Sequence, residues 1–407
     1  MQHKLNETSL SSLQISRYNP LRQRRRRSAV NGRVKILIVG HGVLGGAVLD
    51  FLCQSGRPYD LHVGVRDLQR ASLRVNLAKY TAVNLGLSPA IEIVPLDLMN
   101  TEATAERLAA LRPDIIFNAT TLHSWWRITQ LPTDAYQQFD RARGGVWTPM
   151  HLVLVRRLMR AVRQAGVESI VVNASYPDVT NAALAAEGLS PTIGIGNIAN
   201  AVPGIRLAAA HLLGCELNAV DVQFFAQHYV SYRMPSTGFT DGAPYHLTIY
   251  RNGQEVHPQE LGHNEIFANV AGRFRRVKGL AGQSVTASSA IAILRAFADQ
   301  LERVVHAPGP LGLVGGYPVR IAPTGISIEL PRGLSLDDAV EINSQCQKYD
   351  GIEAVESDGT VRFTGESAGI LRDLLGYDCE AMALDECEKR ADELAAKYAE
   401  YCDRLQS

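Results

Sequence analysis

The stretch that decides the fold is VKILIVGHGVLG, residues 34–45. Its first six residues form a continuous apolar run that is typical of a buried strand, and a helical spacing of apolar residues follows. Between the two stands the pattern G-x-G-x-x-G, formed by Gly40, Gly42 and Gly45. The first glycine allows a tight turn, the second lets backbone amides approach a diphosphate, and the third lets the helix pack against the strand. The motif therefore predicts a dinucleotide-binding turn.

Strands and helices alternate after this turn. The apolar segments that indicate further strands are residues 61–67, 91–97, 114–120 and 169–173. Segments with helical spacing of apolar residues separate them. This alternation predicts an α/β fold, a Rossmann doubly wound parallel sheet, followed by a second α/β (α+β) domain.

The identity of the dinucleotide depends on the end of the second strand. Within the glycine turn the backbone of Val43 and Leu44 is expected to contact the diphosphate. NAD-binding sheets usually have an acidic residue about 20 residues further on, which binds the ribose hydroxyl. Arg66 stands there instead, and a guanidinium matches a phosphate, so NADP is favoured over NAD. The alternative is that Arg66 pairs with a neighbouring carboxylate while Asp67 binds the ribose.

Small polar residues follow the third and fourth strands, where a parallel sheet opens its cofactor crevice. Asp97 follows the third strand and is expected near the adenine. Asn118, Ala119 and Thr120 end the fourth strand and are expected near the ribose or the nicotinamide. The alternative for these polar side chains is that they cap the helices that follow.

Two resemblances extend this interpretation. Residues 34–120, with GHGVLG, VGVRD and LRPDIIFNAT, resemble the NADP-binding half of saccharopine dehydrogenase-like and related short-chain reductases. Beyond residue 120 the order of pieces is similar to the lactate and malate dehydrogenase superfamily. The turn NASYPDVTN, the segment 193–197, a helix through Arg206 and a strand that leads to His228 follow one another as in that family.

The second resemblance implies roles for single residues. Asn173 falls at the asparagine that contacts substrate beside the cofactor, and His228 falls at the catalytic histidine. Asn200 stands where the family has the aspartate that orients this histidine, and only Arg206 is near the place of the carboxylate-binding arginine. A neutral amide would lower the proton affinity of the histidine. A ketone, an imine or a larger acid is therefore favoured over lactate or malate.

Further side chains are candidates for substrate contact. Trp125, Trp126 and Arg127 follow the fourth strand, where the resembling family places its substrate lid; the alternative is that the tryptophans pack in a core or an oligomer interface. Tyr229 and Tyr232 follow the histidine and are alternative proton donors. No motif typical of a metal site is present.

Composition limits the other possibilities. The 407 residues carry 41 basic and 41 acidic side chains and are 46% hydrophobic, which excludes intrinsic disorder of the whole chain. Six cysteines without a CxxC pair indicate reduced thiols in a cytoplasm. The longest apolar stretch, residues 34–52, is interrupted by charges and glycines, so no membrane span is expected.

These patterns predict three regions. Residues 1–33 hold eight basic residues and one acid and are expected to be a disordered tail, with nucleic-acid binding as an unfavoured alternative. Residues 34–175 are the predicted NADP-binding Rossmann domain. Residues 176–407 are the predicted substrate, catalytic and dimerisation domain, with a helix over 284–305 and a final amphipathic helix over 378–405. The apolar stripe of that last helix fits either a core or a homo-oligomer.

The sequence thus predicts an NADP-dependent oxidoreductase that moves a hydride between the nicotinamide and a small carbonyl or imine substrate. One alternative is the reductive condensation of an amine and a keto acid, as in opine and saccharopine formation. The other is a protein that senses NADP without catalysis, since a fold alone does not imply activity.

Overall fold

A computed structural model describes residues 33–406, and its main element is a six-stranded parallel sheet. The strands lie in the order β3-β2-β1-β4-β5-β6, the arrangement of a doubly wound dinucleotide-binding fold. The predicted Rossmann sheet is confirmed. Its strands are β1 (Lys35–Val39), β2 (Asp60–Val65), β3 (Ala90–Pro95), β4 (Ile115–Asn118), β5 (Ile170–Asn173) and β6 (Ile193–Gly194).

Helices cover both faces of this sheet, which explains why β1 is apolar after Lys35. Leu37 and Val39 point into a core shared with the helices Thr101–Leu111 and Thr148–Gln164, and Ile36 and Ile38 point into a second core shared with the helices Val43–Gln54 and Gln283–Ala298. A strand buried on both faces reads as a continuous apolar run. The helices of this half are α1 (Val43–Gln54), α2 (Leu68–Asn84), α3 (Thr101–Leu111), α4 (Thr133–Ala142), α5 (Thr148–Gln164) and α6 (Val179–Ala185).

Three small antiparallel sheets make up the rest of the described chain, so the second region is α+β. They contain β7 (Val220–Phe225), β8 (His246–Arg251) and β9 (Gln254–Glu255); β10 (Arg303–Pro308), β11 (Gly316–Ala322) and β12 (Gly325–Ile328); and β13 (Ile352–Val355), β14 (Val361–Phe363) and β15 (Ala381–Met382). The accompanying helices are α7 (Ile198–Leu212), α8 (His228–Thr237), α9 (His263–Ala271), α10 (Gln283–Ala298), α11 (Leu336–Cys346), α12 (Gly365–Leu375) and α13 (Cys387–Gln406).

The structure differs from the sequence prediction at two boundaries. The sixth strand of the main sheet, Ile193–Gly194, lies beyond residue 175, so the parallel sheet draws on the predicted second region. The helix expected over residues 284–305 ends at Ala298, and Arg303 begins β10. Between the two, Gln300 has a φ of 53°, a left-handed conformation that stops a helix. The strand that follows is also apolar, so the hydrophobic spacing in the sequence continues past this stop and predicted a longer helix.

The final helix, α13, belongs to the core. Leu394 and Tyr398 are buried in the same cluster as α5, so most of its apolar stripe is covered within the chain. An exposed apolar stripe lies instead on α2, where Leu73, Leu77 and Tyr80 are each more than half exposed. No helix among residues 33–406 has the length and apolar character that crossing a bilayer requires. The predicted tail lies outside the described residues, apart from Arg33.

Candidate active site

The glycine turn has the geometry that its sequence predicts. A Cβ atom at Gly45 would lie 2.1 Å from the carbonyl oxygen of Gly40, so only glycine lets α1 approach β1 this closely. Gly40 has a φ of 90° and lies against Thr120, which also requires glycine. Gly42 has open space where a Cβ would stand. Its backbone is therefore accessible to a diphosphate at the start of α1.

A crevice of about 640 Å³ opens at this turn, in the size range of small-molecule sites. It lies where the strand order reverses between β1 and β4, the usual position of a dinucleotide in an open α/β sheet. Gly45 underlies the crevice and Leu44 is half-buried beside it. The predicted cofactor residues that line the crevice are Gly40, Gly42, Val43, Arg66, Asp97, Ala119 and Thr120.

The arginines at the end of β2 differ in their partners. Arg66 and Arg70 line the crevice, and neither guanidinium forms an ion pair within the described chain. Asp67 is occupied as the N-cap of α2, where Oδ1 accepts a hydrogen bond of 3.0 Å from the amide of Arg70. Arg74 also reaches the crevice but is paired with Asp50. Two guanidinium groups without an ion pair among residues 33–406 therefore line the crevice.

Asn118 and Asn173 occupy a different position from the one predicted. Both side chains are almost completely buried, and Asn118 Nδ2 donates to Asn173 Oδ1 at 2.9 Å. Asn173 Nδ2 in turn donates to Asn181 at 2.8 Å, and Asn118 Oδ1 accepts from the Thr120 hydroxyl at 2.7 Å. These amides join the ends of β4 and β5 beneath the crevice. Of this group Thr120 is the side chain that lines the crevice itself.

A histidine–carboxylate pair lies beyond the crevice. His228 is the first residue of α8, and its Nδ1 lies 3.0 Å from Oδ1 of Asp350. Asp350 is 3% exposed and also accepts a hydrogen bond from the amide of Tyr229 at 3.1 Å. Since a carboxylate only accepts, Nδ1 carries the hydrogen and Nε2 is the basic nitrogen. Nε2 has no hydrogen-bond partner in the described part of the chain.

A second buried carboxylate supports this histidine. Asp178 follows β5 and accepts a hydrogen bond from the amide of His228 at 3.0 Å and another from Asn197. Burial raises the pKa of Asp178 to about 6, and the charge of Asp350 adds to this rise. Burial alone would lower the pKa of His228, but the charge and hydrogen bond of Asp350, together with Asp178, raise it above its ordinary value. The buried carboxylates therefore favour the protonated form of His228.

Aromatic and polar side chains connect this pair to the crevice. Thr121, which lines the crevice, lies 3.0 Å from Nδ1 of His151. The ring of His151 contacts the edge of Tyr176, and Tyr176 contacts His228 with ring centroids 4.7 Å apart. Tyr176 needs a glycine opposite it, because a Cβ at Gly144 would overlap its hydroxyl. Two side chains, His151 and Tyr176, thus lie between His228 and Thr121 at the crevice wall.

The predicted proton donors Tyr229 and Tyr232 are both bound elsewhere. Tyr229 donates its hydroxyl to Asp241 at 3.1 Å, away from the imidazole. Tyr232 donates to Asp140 at 2.7 Å, although its ring stacks on His228 at 6.0 Å. His228 is therefore the proton donor best placed for chemistry, and Tyr232 forms one wall beside it.

Two residues named by the dehydrogenase resemblance lie elsewhere. Asn200 donates Nδ2 to Thr286 at 3.0 Å and has no contact with His228, so the role expected at position 200 is filled by Asp350. Arg206 donates to the carbonyl of Val220, at the start of β7. His228 follows the other end of that strand, about 17 Å away at 3.3 Å per residue. This position does not suit Arg206 for binding a substrate next to His228.

The loop after β4 begins at the crevice. Leu122 and Ser124 line the crevice, and a 3-10 turn, Trp125–Gln130, follows. Trp125 and Arg127 are exposed and Trp126 is half-buried. The turn contacts a second 3-10 turn, Gly279–Gly282, which precedes α10. Trp125, Trp126 and Arg127 themselves do not line the crevice.

Sequence reasoning missed three residues of the site. Asp350 lies 122 residues from its histidine, and no local pattern marks it. Asp178 follows a strand end, a signal that was visible but not specific. His41, inside the glycine motif, lines the crevice with both ring nitrogens buried and without a partner among the described residues. Burial lowers the pKa of His41, so its ring is neutral and suited to hydrogen-bond a bound group.

The fold is an α/β architecture similar to that of lactate and malate dehydrogenases. Among solved structures, the chain is similar to a lactate dehydrogenase from Eimeria maxima with NADH and oxamate, at 15% identity and a TM-score of 0.53, over 79% of this chain and 95% of that one. It is also similar to malate dehydrogenases from Aeropyrum pernix, at 16% identity, a TM-score of 0.52 and 77% and 97% coverage, and from Cryptosporidium parvum, at 14% identity, 0.51 and 78% and 98%. No protein-family model and no curated protein sequence matches it.

Proposed function

We propose that this protein is an NADP-dependent oxidoreductase that transfers a hydride between the nicotinamide and a small carbonyl or imine carbon. The observation that carries the proposal is the hydrogen-bonded pair of His228 and Asp350. Two intervening side chains separate this pair from the crevice at the glycine turn. The residues present fit the cofactor, since Gly42 leaves its backbone open and Arg66 and Arg70 are uncompensated.

The residues divide the chemistry between them. A bound nicotinamide supplies or accepts the hydride. His228 donates a proton from Nε2 to the substrate oxygen or nitrogen during reduction and takes it back during oxidation. Asp350 holds the hydrogen on Nδ1 and stabilises the imidazolium. Asp178 fixes the backbone of His228 at the start of α8.

NADP is proposed over NAD because of charge. The 2′-phosphate of NADP carries two negative charges that a guanidinium binds with two parallel hydrogen bonds. Arg66 and Arg70 are free to do so, whereas Asp67 is committed to its cap. NADH is named with the Eimeria maxima structure, so the preference proposed here differs from that protein. The saccharopine dehydrogenase-like character of residues 34–120 is part of the same proposal.

The test is a screen of keto acids, ketones and imines by NADPH absorbance, with NADH in parallel. His228→Ala should keep NADPH affinity in calorimetry and lose turnover. His257→Ala, an exposed histidine outside the site, serves as the control and should change neither. Absence of binding by both nucleotides would refute the proposal. An unchanged phenotype of His228→Ala would favour the NADP-sensing alternative.

Reductive condensation of an amine with a keto acid is the second candidate. The second carboxylate favours it, because imine formation must protonate a departing hydroxyl before the hydride arrives. With a pKa of about 6, Asp178 holds a proton close to His228 at mildly acidic pH. NADPH oxidation that requires both an amine and a keto acid would identify this reaction.

The assembly and the location are proposed from the chemistry of the side chains. The exposed stripe of Leu73, Leu77 and Tyr80 on α2 supports a homo-oligomer, since an apolar helix face of this kind favours contact with a second copy. Light scattering of wild type and Leu77→Glu tests this. A cytoplasmic location remains proposed from the six thiols, which the structure leaves unpaired.

A further inference from the structure

The dehydrogenase resemblance expects a carboxylate-binding arginine near position 206. The structure does not bring Arg206 next to His228. Arg206 is held at the far end of β7, and position 203 on α7 is a proline. Any residue that binds an acidic group near His228 must therefore come from another element.

A basic loop approaches His228 from the opposite side. Residues 273–278 read RFRRVK, four cations without an acid, and they join α9 to the turn Gly279–Gly282. The Nζ atom of Lys278 lies 5.3 Å from the ring centroid of Tyr232. That ring in turn stacks on His228 at 6.0 Å, so a single aromatic side chain connects the ammonium group with the imidazole.

Lys278 and Arg276, at the end of this loop, lie near one carboxylate, Asp140, whose charge acts on Lys278. Neither Lys278 nor Arg276 forms an ion pair within residues 33–406, whereas neighbouring Arg233 is paired with Asp241. Arg276 is half-buried and donates only to the carbonyl of Val277, at 3.2 Å. Burial lowers the pKa of Lys278, the charges of Arg276, Arg275 and Arg233 lower it further, and the charge of Asp140 raises it in part. An anion bound here would relieve this repulsion.

The loop is also placed to meet the substrate. It leads into the turn Gly279–Gly282, which contacts the turn that carries Trp125 and Trp126. The basic loop is thus continuous with a turn that packs against the loop after β4, whose first residues line the crevice.

We propose that Arg276 and Lys278, at the end of this loop, form the acid-binding side of the substrate site, with Lys278 as the main contact for a substrate carboxylate and Arg276 as the second. This rests on the proposed function and narrows it to acidic substrates. The carboxylate would be recognised from the α9–α10 connection, and the carbonyl or imine carbon would face His228.

Binding of carboxylates that cannot be reduced separates this inference from catalysis. Malonate and glutarate are titrated by calorimetry into the NADPH-loaded protein, with glutaramide as the neutral counterpart of glutarate. Wild type should bind at least one of the acids and not the diamide. Lys278→Met should weaken that binding about ten- to hundredfold, the usual effect of losing a charged hydrogen bond, and Lys278→Arg should retain it. Arg273→Met, on the same loop but over Phe274, should bind as wild type does.

For any keto acid that is turned over, Lys278→Met should raise KM by a similar factor and leave kcat nearly unchanged. Three results would overturn the inference: no acid binds wild type, the diamide binds equally well, or Lys278→Met behaves as Arg273→Met does. NADPH is titrated into the same proteins, and the acids are also titrated into the nucleotide-free protein. Failure of NADPH to bind would refute the proposed function, while the titration of the free protein would still test the acid-binding residues.

Discussion

Nδ1 of His228 lies 3.0 Å from Oδ1 of Asp350, although 122 residues separate them in the chain. The carboxylate is buried, so the imidazolium that forms at His228 is stabilised by a charge that water barely screens. This contact sets the proton affinity of the candidate acid–base group.

Asp350→Asn should lower kcat for reduction by about a hundredfold or more, the range expected for impaired general acid catalysis. The pKa of His228 is raised in the folded protein, so reduction should persist to a pH above the ordinary histidine range and then fall. Without the Asp350 charge the pKa of His228 drops, and the fall should move to lower pH. A pH profile of kcat measures this shift. Asp373→Asn, an exposed carboxylate, is the control; equal profiles for both variants would contradict the assigned role.

Gly42→Ala and Gly45→Ala should fail in different ways. At Gly42 a Cβ has space in the folded protein but would stand in the path of a diphosphate, so stability should hold while NADPH affinity falls. At Gly45 a Cβ would meet the Gly40 carbonyl. The substitution should therefore lower the free energy of unfolding by about 1–3 kcal/mol or more, and NADPH binding should be lost. Urea unfolding and calorimetry distinguish the two. Gly262→Ala, another extended helix N-cap with open space, should affect neither; full NADPH affinity in Gly42→Ala would refute the diphosphate position.

Arg66→Ser should weaken NADPH binding about ten- to hundredfold and change NADH binding little, because it removes a charge-assisted contact that only the 2′-phosphate makes. Dissociation constants for both nucleotides give the comparison. Arg107→Ser removes an equally exposed guanidinium from α3, outside the crevice, and should alter neither constant. An equal loss of affinity for NADPH and NADH would mean that Arg66 does not contact the 2′-phosphate.

Arg206→Met should leave KM and kcat at wild-type values and lower the free energy of unfolding by about 1 kcal/mol, since its guanidinium donates to the Val220 carbonyl at 2.6 Å. Steady-state kinetics and urea titration are the two measurements. A large rise in KM with unchanged stability would restore Arg206 as a substrate contact.

The sequence was informative where chemistry is local. Gly40, Gly42 and Gly45 identify a turn whose geometry depends on residues within one helix turn of one another, and the structure confirms the sheet they imply. Continuous apolar strands likewise identify a sheet covered on both faces. The end of α10 was missed because Gln300 has no helix-breaking chemistry that shows in its residue type.

The candidate site was harder to predict because its parts come from distant segments. His228 could be predicted from its place after β7. The order of segments, however, assigned the residue that orients this histidine to position 200, whereas the structure has Asp350. An interaction between residues this far apart leaves no periodicity or spacing to detect. The buried amides Asn118 and Asn173 stand at strand ends, yet strand ends hold structural hydrogen bonds as often as ligands.

Asp350, the hydrogen-bond partner of His228, comes from a late segment of the chain. Gly351, with a φ of 86°, turns the chain directly into β13, and a Cβ there would meet Ser367 of α12 at 2.6 Å. The residues that line the crevice all lie before residue 155, whereas the carboxylate that pairs with His228 comes from about the last seventh of the chain. Because β13, α12 and α13 pack in the same core as α5, a molecule shortened before Asp350 would lose part of the core that covers the parallel sheet together with the counter-charge of His228.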